Sequence, residues 1–150
     1  MMNRAYFESI IMIERLHRLF LDVIKAELDR MGVRDINNVQ CLLLYNIGKK
    51  ELTVGELTKL GYYLGSNVSY SLQKMVKNQY IIQESSHNDR RSSYVKLSKK
   101  GLELFSKFDV ILDMHSDYLI ESGVSAKNST NLVNTLRRFE NFWTDLLAKT

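Results

Sequence analysis

The sequence of 150 residues contains no proline, so no helix in it is forced to kink by a ring that lacks an N–H. It has one cysteine, Cys41, which excludes an internal disulfide and suits a reducing, cytoplasmic setting. Long apolar runs are also missing. The longest, Cys41 to Tyr45, is five residues, far short of the roughly 20 that a membrane helix needs. Glu8 and Glu14 interrupt the first apolar stretch, so the N-terminus does not read as a secretory signal.

Histidine is scarce. His17, His87 and His115 lie far apart and have no cysteine or carboxylate at ligand spacing, so no metal site is expected. A glycine-rich phosphate loop and a nucleophile elbow are both missing. Gly61 and Gly65 read as turn residues. These absences argue against an enzyme, a catalytic residue or a cofactor.

The remaining shortage is of acid. No Asp or Glu occurs from Leu57 to Gln83. From Leu57 to Gly101 the basic residues are Lys59, Lys74, Lys77, Arg90, Arg91, Lys96, Lys99 and Lys100, against Glu84 and Asp89 alone. That segment carries +6 within a chain of net +4, so the rest sums to −2. A basic middle between slightly acidic ends points to a polyanion partner.

Periodicity places the elements. Ile13, Leu16, Phe20, Val23, Ile24, Leu28 and Met31 recur at helical spacing, which predicts a helix from about Arg4 to a stop at Gly32. A second helix runs from a cap at Asn37 or Asn38 to Gly48. Thr53 and Glu56 form a capping box for a short helix to about Leu60, and Gly61 to Gly65 reads as a turn. Ser66 then caps a helix to about Asn78, with Val68, Leu72, Met75 and Val76 on its apolar stripe. Tyr80–Ser85 and Ser93–Leu97 read as paired strands around a polar hairpin, Ser86 to Ser92. Two long helices follow, one from Ser98 to Gly123 and one from about Ser125 onward.

Helix, helix, turn, helix, strand, hairpin, strand is the order of a winged helix-turn-helix. The expected fold is mainly α with a small β-wing, in one unit spanning 1–150. Residues 37–97 form the winged DNA-binding region; 4–36 and 98–150 supply dimerisation helices. The outward face of the Ser66–Asn78 helix holds Asn67, Ser69, Tyr70, Gln73, Lys74 and Lys77, with no acid to repel phosphate. A merely solvated helix face would mix Glu with its Lys. Double-stranded DNA is the expected partner.

The stretch His87-Asn-Asp89-Arg90-Arg91-Ser-Ser-Tyr-Val95-Lys96-Leu97-Ser98-Lys-Lys-Gly101 resembles the wing signature of the MarR family of regulators. Within that family, Asp35-Ile-Asn-Asn-Val-Gln40, Leu43-Leu-Tyr45-Asn46 and the run Gly61 to Tyr70 resemble the LdtR type, associated with an L,D-transpeptidase gene and cell-envelope cross-linking. The resemblance implies a homodimer on a two-fold operator. It also implies a minor-groove arginine, Arg90 or Arg91, on a tip shaped by Asp89. Lys96, Lys99 and Lys100 would meet phosphates. It further implies a small aromatic or anionic effector, with His17, Tyr45, Asn46 and Phe108 as lining candidates. Leu16, Phe20, Leu136, Phe139, Trp143 and Leu146 are the expected dimer contacts. Cys41, inside an apolar stretch without a second cysteine, reads as a buried structural thiol rather than an oxidant sensor. The alternative is a winged-helix module that binds protein, which leaves the acid-free stretch and the Asp-Arg-Arg tip unexplained.

Overall fold

The computed structural model describes residues 3–64, 67–85 and 93–150. Two compact units divide the chain, residues 1–106 and 107–150. In the first, α1 (Arg4–Arg30) is capped by Asn3 and α2 (Asn38–Ile47) by Asn37. The α2 cap is reciprocal: the Asn37 side chain accepts from the Gln40 backbone N–H at 2.8 Å, and the Gln40 side chain accepts from the Asn37 N–H at 3.1 Å. This pairing uses both donors that a helix start would otherwise leave open.

Only the C-terminal part of α1 is buried, through Ile24 and Leu28. By contrast, α2 is core on most sides, burying Gln40, Cys41, Leu43, Leu44 and Ile47. Leu57, Leu72, Met75, Tyr80, Ile81, Val95, Leu97 and Leu104 are buried as well.

Strand β1 (Leu52–Thr53) precedes α3 (Val54–Leu64), and α4 (Val68–Lys77) is followed by β2 (Ile81–Ser85) and β3 (Ser93–Leu97). The three strands form an antiparallel sheet in the order β1-β3-β2. Ile81 faces Leu97 and Gln83 faces Val95 across one edge; Leu52 faces Val95 across the other. Val95 and Leu97 are buried as the alternation required, and so the register is set by the apolar face. The two-residue β1 was not expected, because so short a strand has no periodicity of its own.

Three expectations change here. Gly61 to Leu64 is not a turn but the last part of α3. A glycine inside a helix costs only about 1 kcal/mol relative to alanine. Gly61 is buried within α3, and no proline stops the helix. The cap of α4 is Asn67, whose side chain accepts the Tyr70 N–H at 3.2 Å; Ser66, expected in that role, lies outside the described residues. Val76, expected on the apolar stripe, is exposed, and Ser71 takes an inward position instead.

At the end of α4 the Tyr80 N–H reaches the Met75 carbonyl at 2.8 Å and the Gln79 N–H reaches that of Val76 at 3.0 Å. This closure needs a left-handed residue after the cap, usually glycine; here it is Gln79, at φ 68°.

Helix α5 (Lys99–Glu121) starts where the Ser98 hydroxyl accepts the Gly101 N–H at 3.1 Å. A Cβ at Gly101 would collide with the Tyr80 carbonyl oxygen, which itself accepts the Ser98 N–H at 2.9 Å. The glycine lets the helix start sit directly on the chain entering β2. In the second unit, α6 (Ala126–Ala148) opens on a reciprocal cap between Ser125 and Asn128, and none of its residues is buried.

Candidate nucleic-acid interface

Helix α4 has two chemically distinct sides. Ser71, Leu72 and Met75 are buried, while Asn67, Ser69, Tyr70, Gln73, Lys74 and Lys77 are exposed. Burying two large aliphatic side chains is worth about 1.5–3 kcal/mol each, enough to hold the helix to its scaffold and leave the other side open. The Lys74 ammonium sits 5.6 Å from the Tyr70 ring centroid, within cation–π range. Lys74 and Lys77 in the last turn also favour the negative end of the helix dipole. Asn67 differs from the other exposed residues because its side-chain carbonyl oxygen accepts the Tyr70 N–H of the cap.

The wing consists of β2 and β3. Its tip, with His87, Asp89, Arg90 and Arg91, lies outside the described residues. Of the three lysines expected to touch phosphate, two are engaged elsewhere. The Lys96 ammonium lies 3.7 Å from both Glu51 and Glu84. Glu84 is two rungs from Lys96 along the hairpin, and Glu51 comes from the segment before β1. Two carboxylates flank its one charge, and both pairs are long and largely exposed. The Lys100 ammonium is 2.8 Å from Asp35 Oδ2 and 2.9 Å from the Asn78 carbonyl oxygen, and it lies 4.3 Å from the Tyr80 ring centroid. Lys99 is exposed in the first turn of α5.

Asp35 makes a set of contacts that the sequence reading did not anticipate. Tyr80 donates its hydroxyl to Asp35 Oδ1 at 2.6 Å, and Asn78 donates its side-chain amide to the Asp35 carbonyl at 2.7 Å. The loop between α1 and α2 is thereby tied to both the end of α4 and the start of α5. Desolvation pushes the Asp35 carboxyl up, but the hydrogen bonds from Lys100 and Tyr80 and the Lys100 charge together hold it below its usual value. The Tyr80 phenol is pushed up, by burial first and then by the Asp35 carboxylate. The partners of Asp35 lie 43 to 65 residues downstream, so no local pattern reveals these contacts.

Between this loop and α4 lies a cleft of about 230 Å³, lined by Arg34, Asp35, Ile36, Asn37, Gln40, Tyr70, Lys74 and Asn78.

The effector candidates fall in different settings. His17 is exposed on α1. Tyr45 stacks on Phe105 with centroids 5.0 Å apart and planes at 26°, a packing role as much as a binding one. The Asn46 side chain donates to the Leu42 carbonyl at 2.7 Å, and Phe108 is buried. Cys41 is fully buried, and that burial pushes its thiol up to about 12.

Of the expected dimer residues, Leu16, Leu136 and Leu146 are exposed in the single chain, and Phe20, Phe139 and Trp143 are half-buried. On α6, Phe139 meets Trp143 edge to face at 5.7 Å and 85°. Among the described residues, no cluster of His, Cys, Asp and Glu could hold a metal ion, and no helix is long and apolar enough to cross a membrane.

Residues 34–92 match the MarR family. The chain is 36% identical over 139 residues to the exopolysaccharide II synthesis transcriptional activator ExpG of Rhizobium meliloti (strain 1021), covering 93% of this chain and 72% of that one. In fold it is similar to Streptococcus pneumoniae FabT, solved in complex with DNA: TM-score 0.74, 22% identity, 94% of this chain and 99% of that one. It is also similar to Staphylococcus aureus MarR, solved with salicylate and kanamycin: TM-score 0.71, 19% identity, 95% of this chain and 92% of that one.

Proposed function

Because the chain belongs to the MarR family of transcriptional regulators, and so is a regulator and not an enzyme, we propose that it acts as a homodimer placing one α4 per subunit in the major groove of a palindromic operator. The observation that carries this reading is the division of α4. Its inner side is locked by Leu72 and Met75, and its outer side presents hydroxyl, amide, phenol and ammonium groups without a single carboxylate. Gln73 can give a bidentate pair to adenine, and Ser69 can bond to either kind of base. Residues 37–97 act as the reading region, with the wing arginines Arg90 and Arg91 adding backbone and minor-groove affinity.

Residues 4–36 and 98–150 supply the dimerisation helices. Leu132, Leu136, Phe142 and Leu146 are at least a third exposed in the single chain, and so large an apolar surface on one helix calls for a cover. A second copy provides one with two-fold symmetry, matching a two-fold operator. A small aromatic or anionic molecule modulates binding, as the salicylate in the S. aureus relative suggests. The controlled genes act at the cell envelope or surface. Both the L,D-transpeptidase association of the LdtR type and the exopolysaccharide role in the name of ExpG support this. Such a regulator works in the cytoplasm, where its DNA is.

Selection of bound fragments from random duplex DNA tests the reading. Recovery of an imperfect palindrome with half-sites about one helical turn apart, roughly 34 Å, is expected. Recovery of no common sequence, with binding insensitive to salt, would instead favour the protein-binding module.

A further inference from the structure

We propose that Arg34 and Lys74 form the two walls of a seat for one DNA backbone phosphate, in the cleft between the α1–α2 loop and α4. The proposal rests on the DNA-reading function and adds, through Arg34, a contact that belongs neither to α4 nor to the wing.

The charge in the cleft supports it. Its lining holds three charged side chains, Arg34, Asp35 and Lys74. Asp35 does not oppose an incoming anion with its full charge. One of its carboxylate oxygens takes the Tyr80 hydroxyl and the other the Lys100 ammonium. The ion pair with Lys100 therefore neutralises the acid of the cleft and leaves two basic side chains to act. Neither Arg34 nor Lys74 has a carboxylate partner among the ion pairs of the described residues.

The start of α2 is not the anion site. Its Val39 and Gln40 N–H groups already donate to the side chains of Asn38 and Asn37. Attraction in the cleft must then come from the guanidinium and the ammonium. A guanidinium fits phosphate oxygens with two parallel donors, and an ammonium adds a point charge from the other side.

Position identifies the anion. Tyr70 and Lys74 belong both to the cleft and to the exposed face of α4. A helix in the major groove runs between two phosphate backbones. A strand passing beside α4 would cross the cleft at those residues. The Lys74 ammonium, held 5.6 Å from the Tyr70 ring centroid, then meets backbone rather than guanine. This separates Lys74 from Gln73: one positions, the other specifies.

The test measures binding of the full chain to two labelled duplexes across a range of salt, one of random sequence and one recovered by selection. Arg34→Ala and Lys74→Ala should each weaken both duplexes alike, roughly fivefold near 0.15 M salt, and flatten the log K against log salt slope by about one. Arg34→Lys, which keeps the charge, should retain the wild-type slope. A second arm replaces single phosphates of the selected duplex by neutral methylphosphonates. One position per half-site should weaken wild-type binding, and should weaken Arg34→Ala clearly less, because only Lys74 then remains on that phosphate. Wild-type slope in Arg34→Ala, loss of slope in Arg34→Lys, or no such phosphate position would overturn the seat while leaving the DNA-reading function intact. Salt-insensitive binding by the wild-type chain would overturn both. If Arg34→Ala fails to fold, the comparison uses Arg34→Gln.

Discussion

The Lys100 ammonium lies 2.8 Å from Asp35 Oδ2 across a separation of 65 residues. Through this contact the start of α5 holds the loop before α2, and the same lysine bonds the Asn78 carbonyl at the end of α4 at 2.9 Å. The end of α4 is therefore held by residues distant from it in sequence. Both ends of the ion pair are more than a third exposed, so the charge pair itself adds little stability. The hydrogen bond from the largely buried Tyr80 matters more.

Asp35→Ala should cost about 1–2 kcal/mol at neutral pH, because it leaves the Tyr80 hydroxyl without its acceptor. The pH dependence follows in sign from the lowered carboxyl. A group with a depressed folded value stabilises above its unfolded value, near 3.8 here, and loses that contribution as pH falls through the folded value. Urea denaturation between pH 3 and 7 should show the wild-type advantage over Asp35→Ala intact from about pH 5 upward and shrinking below about pH 4. A constant difference over that range would contradict the assignment.

Gly101→Ala should destabilise by about 1–3 kcal/mol, as overpacking does in a filled site. The added methyl meets the Tyr80 carbonyl oxygen, a backbone atom that cannot swing away. Thermal melting followed by circular dichroism measures it. An unchanged midpoint would mean that the helix start can shift away from β2 freely.

Gln73→Ala should lose roughly 1–3 kcal/mol on the selected operator and much less on mismatched duplexes. Replacing Arg90 and Arg91 together should instead weaken all duplexes and flatten the salt slope by about one unit per lost contact. An equal loss on every sequence for Gln73→Ala would place that side chain against backbone.

Leu136→Glu with Leu146→Glu should give a monomer, while the wild-type chain sediments as a dimer at micromolar concentration. Both leucines are exposed in the single chain, and covering each by a partner is worth about 1.5–3 kcal/mol. A wild-type chain that sediments as a monomer would refute the proposed assembly.

Cys41 should resist iodoacetamide in the native protein at pH 8 and react once the chain is unfolded. Its side chain is 0% exposed and its thiol is pushed up to about 12 by burial, so almost no thiolate is present to attack. Rapid labelling of the folded protein would reopen an oxidant-sensing role.

The sequence alone determined most of the helices and the facing of β3, which depend on neighbours within a few positions. Helical spacing located α1, α2, α5 and α6, because burial on one face imposes a period near 3.6 whatever the partner is. Alternation set which side of β3 faces inward, and the missing acids on α4 identified its open side. The wing signature ended at Gly101, although only the Tyr80 carbonyl beside it explains why a glycine stands there.

Other features were decided by tertiary structure. Strand β1 is two residues long and exists because β3 offers a partner edge. Gly61 read as a turn residue, yet it lies inside α3, where a glycine costs only about 1 kcal/mol. The ion pairs of Lys96 with Glu51 and Glu84, and of Lys100 with Asp35, form only in the folded chain. A charge count along the chain cannot see which charges cancel across space. Pairing between elements distant in sequence sets which cations remain available, and here it leaves Lys74 and Arg34 flanking one cleft.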